Sequence, residues 1–477
     1  MPRLNELAKP AFIPTLDPDF KPAVLANRAF LRLVKESGCA VPLVFALERG
    51  GGAITHYETV CFAESHPQSS LNLEYAERLV KFLLWARGGW RVVIGGPNSV
   101  GEHIKAVYSD AGVRKFDFDF MGGVYAKPFT VEVTTPENVP QSAESTISLG
   151  GHLDGCRIGF DLGASDRKVS AVINGEAVYT EEVVWDPRNA TDPQYHFDEL
   201  MTAFKSAAKH MPCVDAIGGS AAGVYINNRP RVASLYRGIP KELFDTKTVN
   251  LFFDLQSAMG GVPFEVVNDG EVTALAGAMS LEDKPILGLA FGSSQAAGYV
   301  TPKGEITTWL NELAFAPVDY HPNAAACEWS GDTGVGALYF SQQAVFKLAP
   351  KAGIEIDPSL GLAEKLKVAQ NCLEKGHAGA RQIWEAIGIY LGYSLAHYAD
   401  FYEIKHVLIL GRVTSGIGGE IILTKAKEVL TREFPELTNI SVTLPDESAR
   451  RVGQAVAAAS LPALAADSSD NKCSKSE

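Results

Sequence analysis

The sequence predicts an α/β protein of two or three domains, and three observations carry that expectation. Its 477 residues exceed what one ordinary core organises. From about Gly155 onward, a strand entering a polar, glycine-containing turn and then a second strand or a helix recurs about five times. That is the pattern of open sheets whose ligands sit at the carboxyl ends of the strands. The composition, 46% hydrophobic and 21% charged, is that of a folded globular chain.

Residues 1–135 read as a separate N-terminal α/β domain. Val41–Leu47 and Ile54–Ala63 are two strands joined by the turn Glu48–Ala53. Leu73, Ala76, Leu79, Val80, Leu83 and Leu84 then repeat at helical spacing up to a stop at Gly88 and Gly89. Trp90–Pro97 is an apolar strand ending in a turn, and Ser99–Gly112 is a second helix. Arg114–Phe120 alternates charged and aromatic residues, as a half-buried strand does. Residues 136–154, rich in Ser, Thr, Pro and Gly, form a linker.

Two further lobes follow, 155–280 and 281–461. Cys156–Gly163 is a strand entering a Gly turn, and Lys168–Gly175 with Glu176–Trp185 are the arms of a hairpin. A helix around Phe197–Lys209 leads to the strand Val214–Ser220. Pro263–Gly270 is a strand, Glu271–Ser280 a helix, and Pro285–Ser294 a strand into another polar turn. Ile383–Tyr402 is a long amphipathic helix and Lys405–Gly411 a buried strand into a Gly turn. Residues 462–477 are expected to be a disordered tail.

The net charge of −13, with no strongly basic block, argues against a nucleic-acid partner. It leaves a phosphate-binding enzyme open, because backbone amides and a bound cation handle phosphates locally. Seven scattered cysteines without a CxxC pair suit reduced thiols in a cytoplasm. No apolar run reaches the length of a membrane span, and the opening residues carry no readable signal peptide.

Four turns carry residues able to do chemistry. Asp161 stands at a strand end, followed by Gly163, Ala164 and Ser165, small enough for backbone N–H groups to approach a phosphate. Gly292, Ser293 and Ser294 offer the same to another phosphate, and at Gly411-Arg412 a glycine can pack flat against a purine. Asn268-Asp269-Gly270 places Asp269 just before a helix, a good pose for a general base. Each alone is more often a plain turn, Asn-Asp-Gly especially. Their order and spacing carry the reading.

In that order the motifs resemble the ROK family of bacterial sugar kinases and sugar-responsive repressors, within the actin/hexokinase/Hsp70-like ATPase superfamily. Arg157–Ser165 looks like the first phosphate motif, Ala216–Asn228 the Gly-rich stretch before the sugar site, and Pro263–Ala278 the strand and helix carrying the catalytic aspartate. Leu289–Ile306 resembles the second phosphate motif and His406–Gly416 the adenosine motif. The match covers roughly 300 residues. It implies a two-lobed actin-like (ribonuclease H-like) fold with an additional N-terminal domain, the nucleotide in a cleft, and closure on sugar binding. It implies ATP and Mg²⁺, with Asp269 taking the proton of a sugar hydroxyl and Asp161 holding Mg²⁺ through water. Gly219, Ser220, Asn268 and Glu312 then face the substrate, and a homodimer is implied by resemblance alone.

The departures concern the acceptor pocket. The family usually carries Gly-Glu-x-Gly-His and then a cysteine-rich zinc segment. Here Asn311–Phe315 and Cys327–Ala337 retain only Glu312 and Cys327, with Phe315 in place of the His and Ala337 in place of the second Glu. One thiol does not make a zinc site, so none is expected. A usual Asn falls near Leu235. Losing such contacts weakens an ordinary hexose by ~1 kcal/mol or more each. Arg237, Asp319 and His321 are replacement candidates, against surface links or a capping His, and Arg237 suits a carboxylated or phosphorylated sugar. Three readings stand: a carbohydrate kinase with a non-standard acceptor pocket, a catalytically weak nucleotide- or sugar-binding sensor, and a sugar-responsive regulator. The N-terminal residues carry no compact basic three-helix pattern for the last.

Overall fold

The computed structural model describes residues 3–144, 146–147, 150–163, 166–444 and 447–464. Most of the expected tail, 465–477, lies outside the described residues. The chain divides into two compact units, the first Met1–Ser145, Leu289–Ala297 and Thr308–Leu444, the second Thr146–Gly288, Gly298–Thr307 and Pro445–Glu477.

The first unit opens with α1 (Ala23–Glu36), the hairpin β1 (Ala40–Glu48) and β2 (Ile54–Phe62), then α2 (Leu71–Arg87), β3 (Arg91–Gly95), α3 (Asn98–Val107), α4 (Lys115–Tyr125) and β4 (Thr130–Thr134). Its sheet runs β2-β1-β3-β4, with β1 antiparallel to both neighbours and β3 parallel to β4. Helix α2 is buried almost all round, so its charged residues need partners. Lys81 Nζ lies 2.9 Å from Asp117 and 3.3 Å from Asp332, which also pairs with Arg114 at 2.6 Å and Arg78 at 3.3 Å.

Arg114–Phe120 is not the expected strand. It lies almost wholly in α4, and the alternation that suggested a strand also places Phe116 and Phe120 four residues apart on one helical face. Both rings pack on Trp85, at 6.1 and 4.7 Å, and Asp117 accepts from Lys81 Nζ and Trp85 Nε1. Tertiary packing decided between two periods that the short segment satisfies equally.

The second unit contains β5 (Thr146–Ile147), β6 (Cys156–Leu162), β7 (Asp166–Ile173), β8 (Glu176–Val184), α5 (Pro193–Ala208), β9 (Ala216–Ala221), the small hairpin β10 (Val224–Ile226) and β11 (Arg229–Val232), α6 (Lys241–Thr246), α7 (Leu251–Ala258), β12 (Phe264–Asn268) and α8 (Asp269–Leu281). The sheet order is β12-β9-β6-β7-β8, with β6, β9 and β12 parallel and β7 antiparallel to both of its neighbours. Counted from β6 as strand 1, this is the 3-2-1-4-5 order of a ribonuclease H-like fold. Phe160, Phe204, Phe252 and Phe264 fill one face of it.

The chain continues through β13 (Ile286–Phe291), β14 (Gln295–Val300) and β15 (Ile306–Thr307), then α9 (Gln342–Leu348), α10 (Leu362–Glu374), α11 (Ala378–Ala399), β16 (His406–Leu410), α12 (Ile417–Glu433), β17 (Ser441–Thr443) and α13 (Glu447–Ala459). The sheet order β17-β16-β13-β14-β15-β5 repeats the 3-2-1-4-5 arrangement with β5 added at its edge. Residues of β13 and β14 fall in both units. Gly388 and Gly392, one turn apart on α11, leave room for Ile422 and Val429 of α12. Helix α13 packs on β6 and β9 because Gly159 and Gly218 offer no Cβ where Ala455 and Ala458 approach. The Arg157 guanidinium, fully buried, donates to the carbonyls of Asp154 (2.6 Å) and Pro462 (2.7 Å) and to the Asp154 carboxylate (3.0 Å), fastening that helix end. Among the described residues no helix is long and apolar enough to cross a membrane.

Candidate functional site

In the second unit, sheet register builds the site around Asp161. It stands one residue from the end of β6, opposite Lys168 on β7 and Ser220 on β9. Ser220 Oγ donates to Asp161 Oδ1 at 2.5 Å, while Lys168 Nζ lies 3.4 Å from Asp161 Oδ2 and 3.3 Å from Asp166 Oδ1. Burial works against the Lys168 charge, but the Asp161 and Asp166 carboxylates more than offset it and hold its pKa above the ordinary lysine value. Gly163 follows in the turn, its carbonyl accepting from Trp185 Nε1 at 2.9 Å. Ala164 and Ser165 lie outside the described residues.

Asn268 ends β12 and caps α8, its Oδ1 accepting from Gly270 N at 2.7 Å and its Nδ2 donating to the Gly223 carbonyl at 2.8 Å. The cap fixes Asp269, the first residue of α8, whose half-buried carboxylate accepts from Gly270 N at 3.0 Å. Burial and the nearby Asp161 charge push its pKa up to about 6, against the pull of backbone N–H groups. A carboxylate poised there can take a proton near neutral pH. Gly219 lies inside β9 with its Cα against the Phe160 ring.

In the first unit the other two turns are neighbours. Strands β13 and β16 are adjacent, and Gly411, at φ +107°, sits against the Phe291 backbone where a side chain would not fit. The structure therefore brings Gly292, Ser293 and Ser294 beside Gly411 and Arg412. Ser293 and Ser294 are exposed, and Gln342 N bonds the Gly292 carbonyl at 2.9 Å. Gln370 Nε2 bonds the Arg412 carbonyl at 2.8 Å, and Trp384 Nε1 that of Val413 at 2.9 Å, so side chains hold the second turn.

Glu312 also belongs to the first unit, its backbone N–H donating to the Trp85 carbonyl at 2.9 Å. Phe315 packs 4.4 Å from Trp85 and joins Phe116 and Phe120 in one aromatic cluster. Asp319 is buried and accepts from Lys21 N, His321 N and Tyr339 Oη at 2.9, 2.8 and 2.6 Å, which gives it a structural task. Arg237 is exposed at the end of a short 3-10 turn. Sequence reasoning passed over Lys168, Asp166, Tyr225, Tyr236 and Arg188. Only Lys168 was findable, since a tight hairpin fixes which residue faces Asp161.

No protein-family model matches the chain, and no curated protein is similar to it. Among solved structures it is similar to a ROK hexokinase from Thermus thermophilus, at 17% identity over 64% of this chain and 97% of that one, with a TM-score of 0.49. A ROK family glucokinase from Streptomyces griseus, solved with glucose and AMPPNP, matches at 17% identity over 63% and 98%, with a TM-score of 0.47. A ROK family transcriptional regulator, a homologue of the E. coli MLC protein, matches at 14% over 81% and 95%, with a TM-score of 0.49.

Proposed function

We propose that this chain is a divergent ROK-type kinase that transfers the γ-phosphoryl group of ATP to a hydroxyl of a sugar or sugar-like molecule. The observation that carries the reading is Asp269, capped into place at the start of α8 and held near pKa 6 beside Asp161. In the reaction the acceptor oxygen bonds to the γ-phosphorus as the bond to the bridging oxygen breaks. ADP leaves with that electron pair, and the hydroxyl proton passes to Asp269. Gly292, Ser293 and Ser294 are assigned to phosphate, Gly411 and Arg412 to the adenosine. The work is positioning and charge neutralisation, which few side chains suffice to do.

The Asp161 and Asp166 carboxylates and the Ser220 hydroxyl form an oxygen donor set that fits Mg²⁺, with Asp161 as its principal ligand through water. Bound there, the metal would neutralise charge on the transferring phosphoryl oxygens. Ser220 orients Asp161, and Lys168 supplies a fixed positive charge beside it. That same lysine favours a second reading, a weakly catalytic nucleotide-binding sensor, because it already counters the Asp161 charge.

The test is coupled ADP release over a panel of monosaccharides, amino sugars, sugar acids and polyols, wild type beside Asp269→Ala. Turnover with one acceptor, lost in the variant, is the expected result. A flat panel with ATP still raising the melting temperature would transfer the assignment to the sensor.

A further inference from the structure

Two arginines of the second unit have no acidic partner among the described residues. Arg188 lies in the segment between β8 and α5, and Arg237 closes the 3-10 turn Ser234–Tyr236. His196 on α5 fastens the two segments together, its Nε2 lying 3.2 Å from both the Pro187 and the Leu235 carbonyl. Gly238 completes the contact, since a Cβ there would come within 2.7 Å of the Arg188 carbonyl oxygen.

Among the described residues, neither guanidinium makes an ion pair. The Arg188 Nε is buried without a hydrogen-bond partner, and Tyr236, only 2% exposed, holds its hydroxyl beside the Tyr225 phenol. Asp186, two residues from Arg188, is turned to Asn189 at 2.9 Å. The chain carries 56 acidic against 43 basic residues, so counter-ions are not scarce. Two like charges beside one another, one of them carrying a buried donor that nothing accepts from, make a site suited to an anion. Burial and the Arg237 charge lower the Arg188 pKa, as expected of a pair without a counter-ion. The site lies on the side of the base: the Gly223 carbonyl, two residues before Tyr225, accepts from Asn268 Nδ2 at 2.8 Å, next to Asp269, and the Tyr236 phenol and Asp269 carboxylate add to burial in raising the Tyr225 pKa.

We propose that Arg188, Arg237 and the Tyr236 hydroxyl bind an acidic group of the acceptor, so that the molecule phosphorylated is a sugar or polyol carrying a carboxylate or a phosphate. The inference rests on Asp269 being the base for the acceptor hydroxyl, but the binding it describes is measured without nucleotide. The experiment is titration calorimetry with D-gluconate, D-glucuronate, D-glucose 6-phosphate and neutral D-glucose. It compares wild type with Arg188→Met, Arg237→Met, Arg237→Lys and Asp269→Asn.

An anionic probe should bind more tightly than glucose. Each Met variant should weaken it about tenfold or more, with a smaller loss for Arg237→Lys, as charge-assisted hydrogen bonds predict. Preference for gluconate or glucuronate identifies a carboxylate, and preference for glucose 6-phosphate a phosphate. Glucose binding as tightly as every anionic probe, an affinity unchanged in Arg237→Met, or no anionic probe binding wild type would each overturn the proposal. Arg237 is exposed, so its variant decides the matter even where Arg188→Met does not fold. Tight anion binding with no ADP release, unaltered by Asp269→Asn, would retire the kinase reading and leave the anion site standing.

Discussion

Replacing Asp269 by Asn should stabilise the protein at alkaline pH while removing turnover. The carboxylate is raised from 3.8 to about 6 in the folded chain. Roughly two units correspond to ~3 kcal/mol, discounted to about 1–2 kcal/mol because the carboxylate keeps some contact with screening solvent. The sign follows from proton uptake: between the two values the folded state binds more protons than the unfolded one. Ionised Asp269 therefore costs stability in full above about pH 6, and the cost fades as pH falls toward 3.8. Asn keeps an oxygen for Gly270 N and carries no charge. The midpoint of urea unfolding, followed by circular dichroism, should rise in Asp269→Asn at pH 8, with about a fifth of that gain left at pH 4. Turnover should drop by about 10²-fold or more, and wild-type kcat/KM should fall as pH drops below about 6. Equal gains at both pH values, or a loss at pH 8, would refute the reasoning.

Arg157→Met should lower stability by ~3 kcal/mol in urea unfolding, because the carbonyls of Asp154 and Pro462 lose their buried donor. Gly218→Ala should cost about 1–3 kcal/mol in the same assay, since its methyl group would enter the space of the Ala458 carbonyl on α13. Asp332→Asn should destabilise by ~3–5 kcal/mol at pH 7, leaving Lys81 and Arg114 buried with one partner fewer. Burial opposes the Asp332 charge, but Lys81, Arg78 and Arg114 hold its pKa below the usual carboxylate range. Its contribution is therefore present above about pH 4 and lost as pH falls through its folded pKa, and the wild-type advantage over Asp332→Asn should shrink in acid.

Much of the sheet framework was legible because its signals are local. The strands ending at Leu162, Phe291 and Leu410 are apolar runs closed by Gly-containing turns, and α2 and α11 declare themselves by spacing. Arg114–Phe120 misled because seven residues satisfy two periods, and the choice lay with Trp85 and Lys81, some thirty positions earlier. The site divides in the same way. Asp161 and Asp269 stand where strand ends place them, and Asn268 emerges as the cap that orients Asp269. Arg188 was invisible because its meaning lies in a missing partner among the described residues, and that appears only once His196 has joined two distant segments.

The two proposals constrain each other. Asp161, Asp166 and Asp269 against Lys168 sum to −2 when all are ionised, and an acidic acceptor adds to that burden. An anion brought near Asp269 without compensation would push its pKa above 6 and leave it protonated, unable to accept the hydroxyl proton. Arg188 and Arg237 are the charges that would prevent this, so an anionic acceptor and a working base are compatible only if both arginines engage. The kinase reading then demands that Arg237→Met shift the acid limb of kcat/KM upward, whereas a sensor needs only that the ligand bind. Affinity lost without a moved limb would therefore place the arginines in recognition and remove Asp269 from the chemistry.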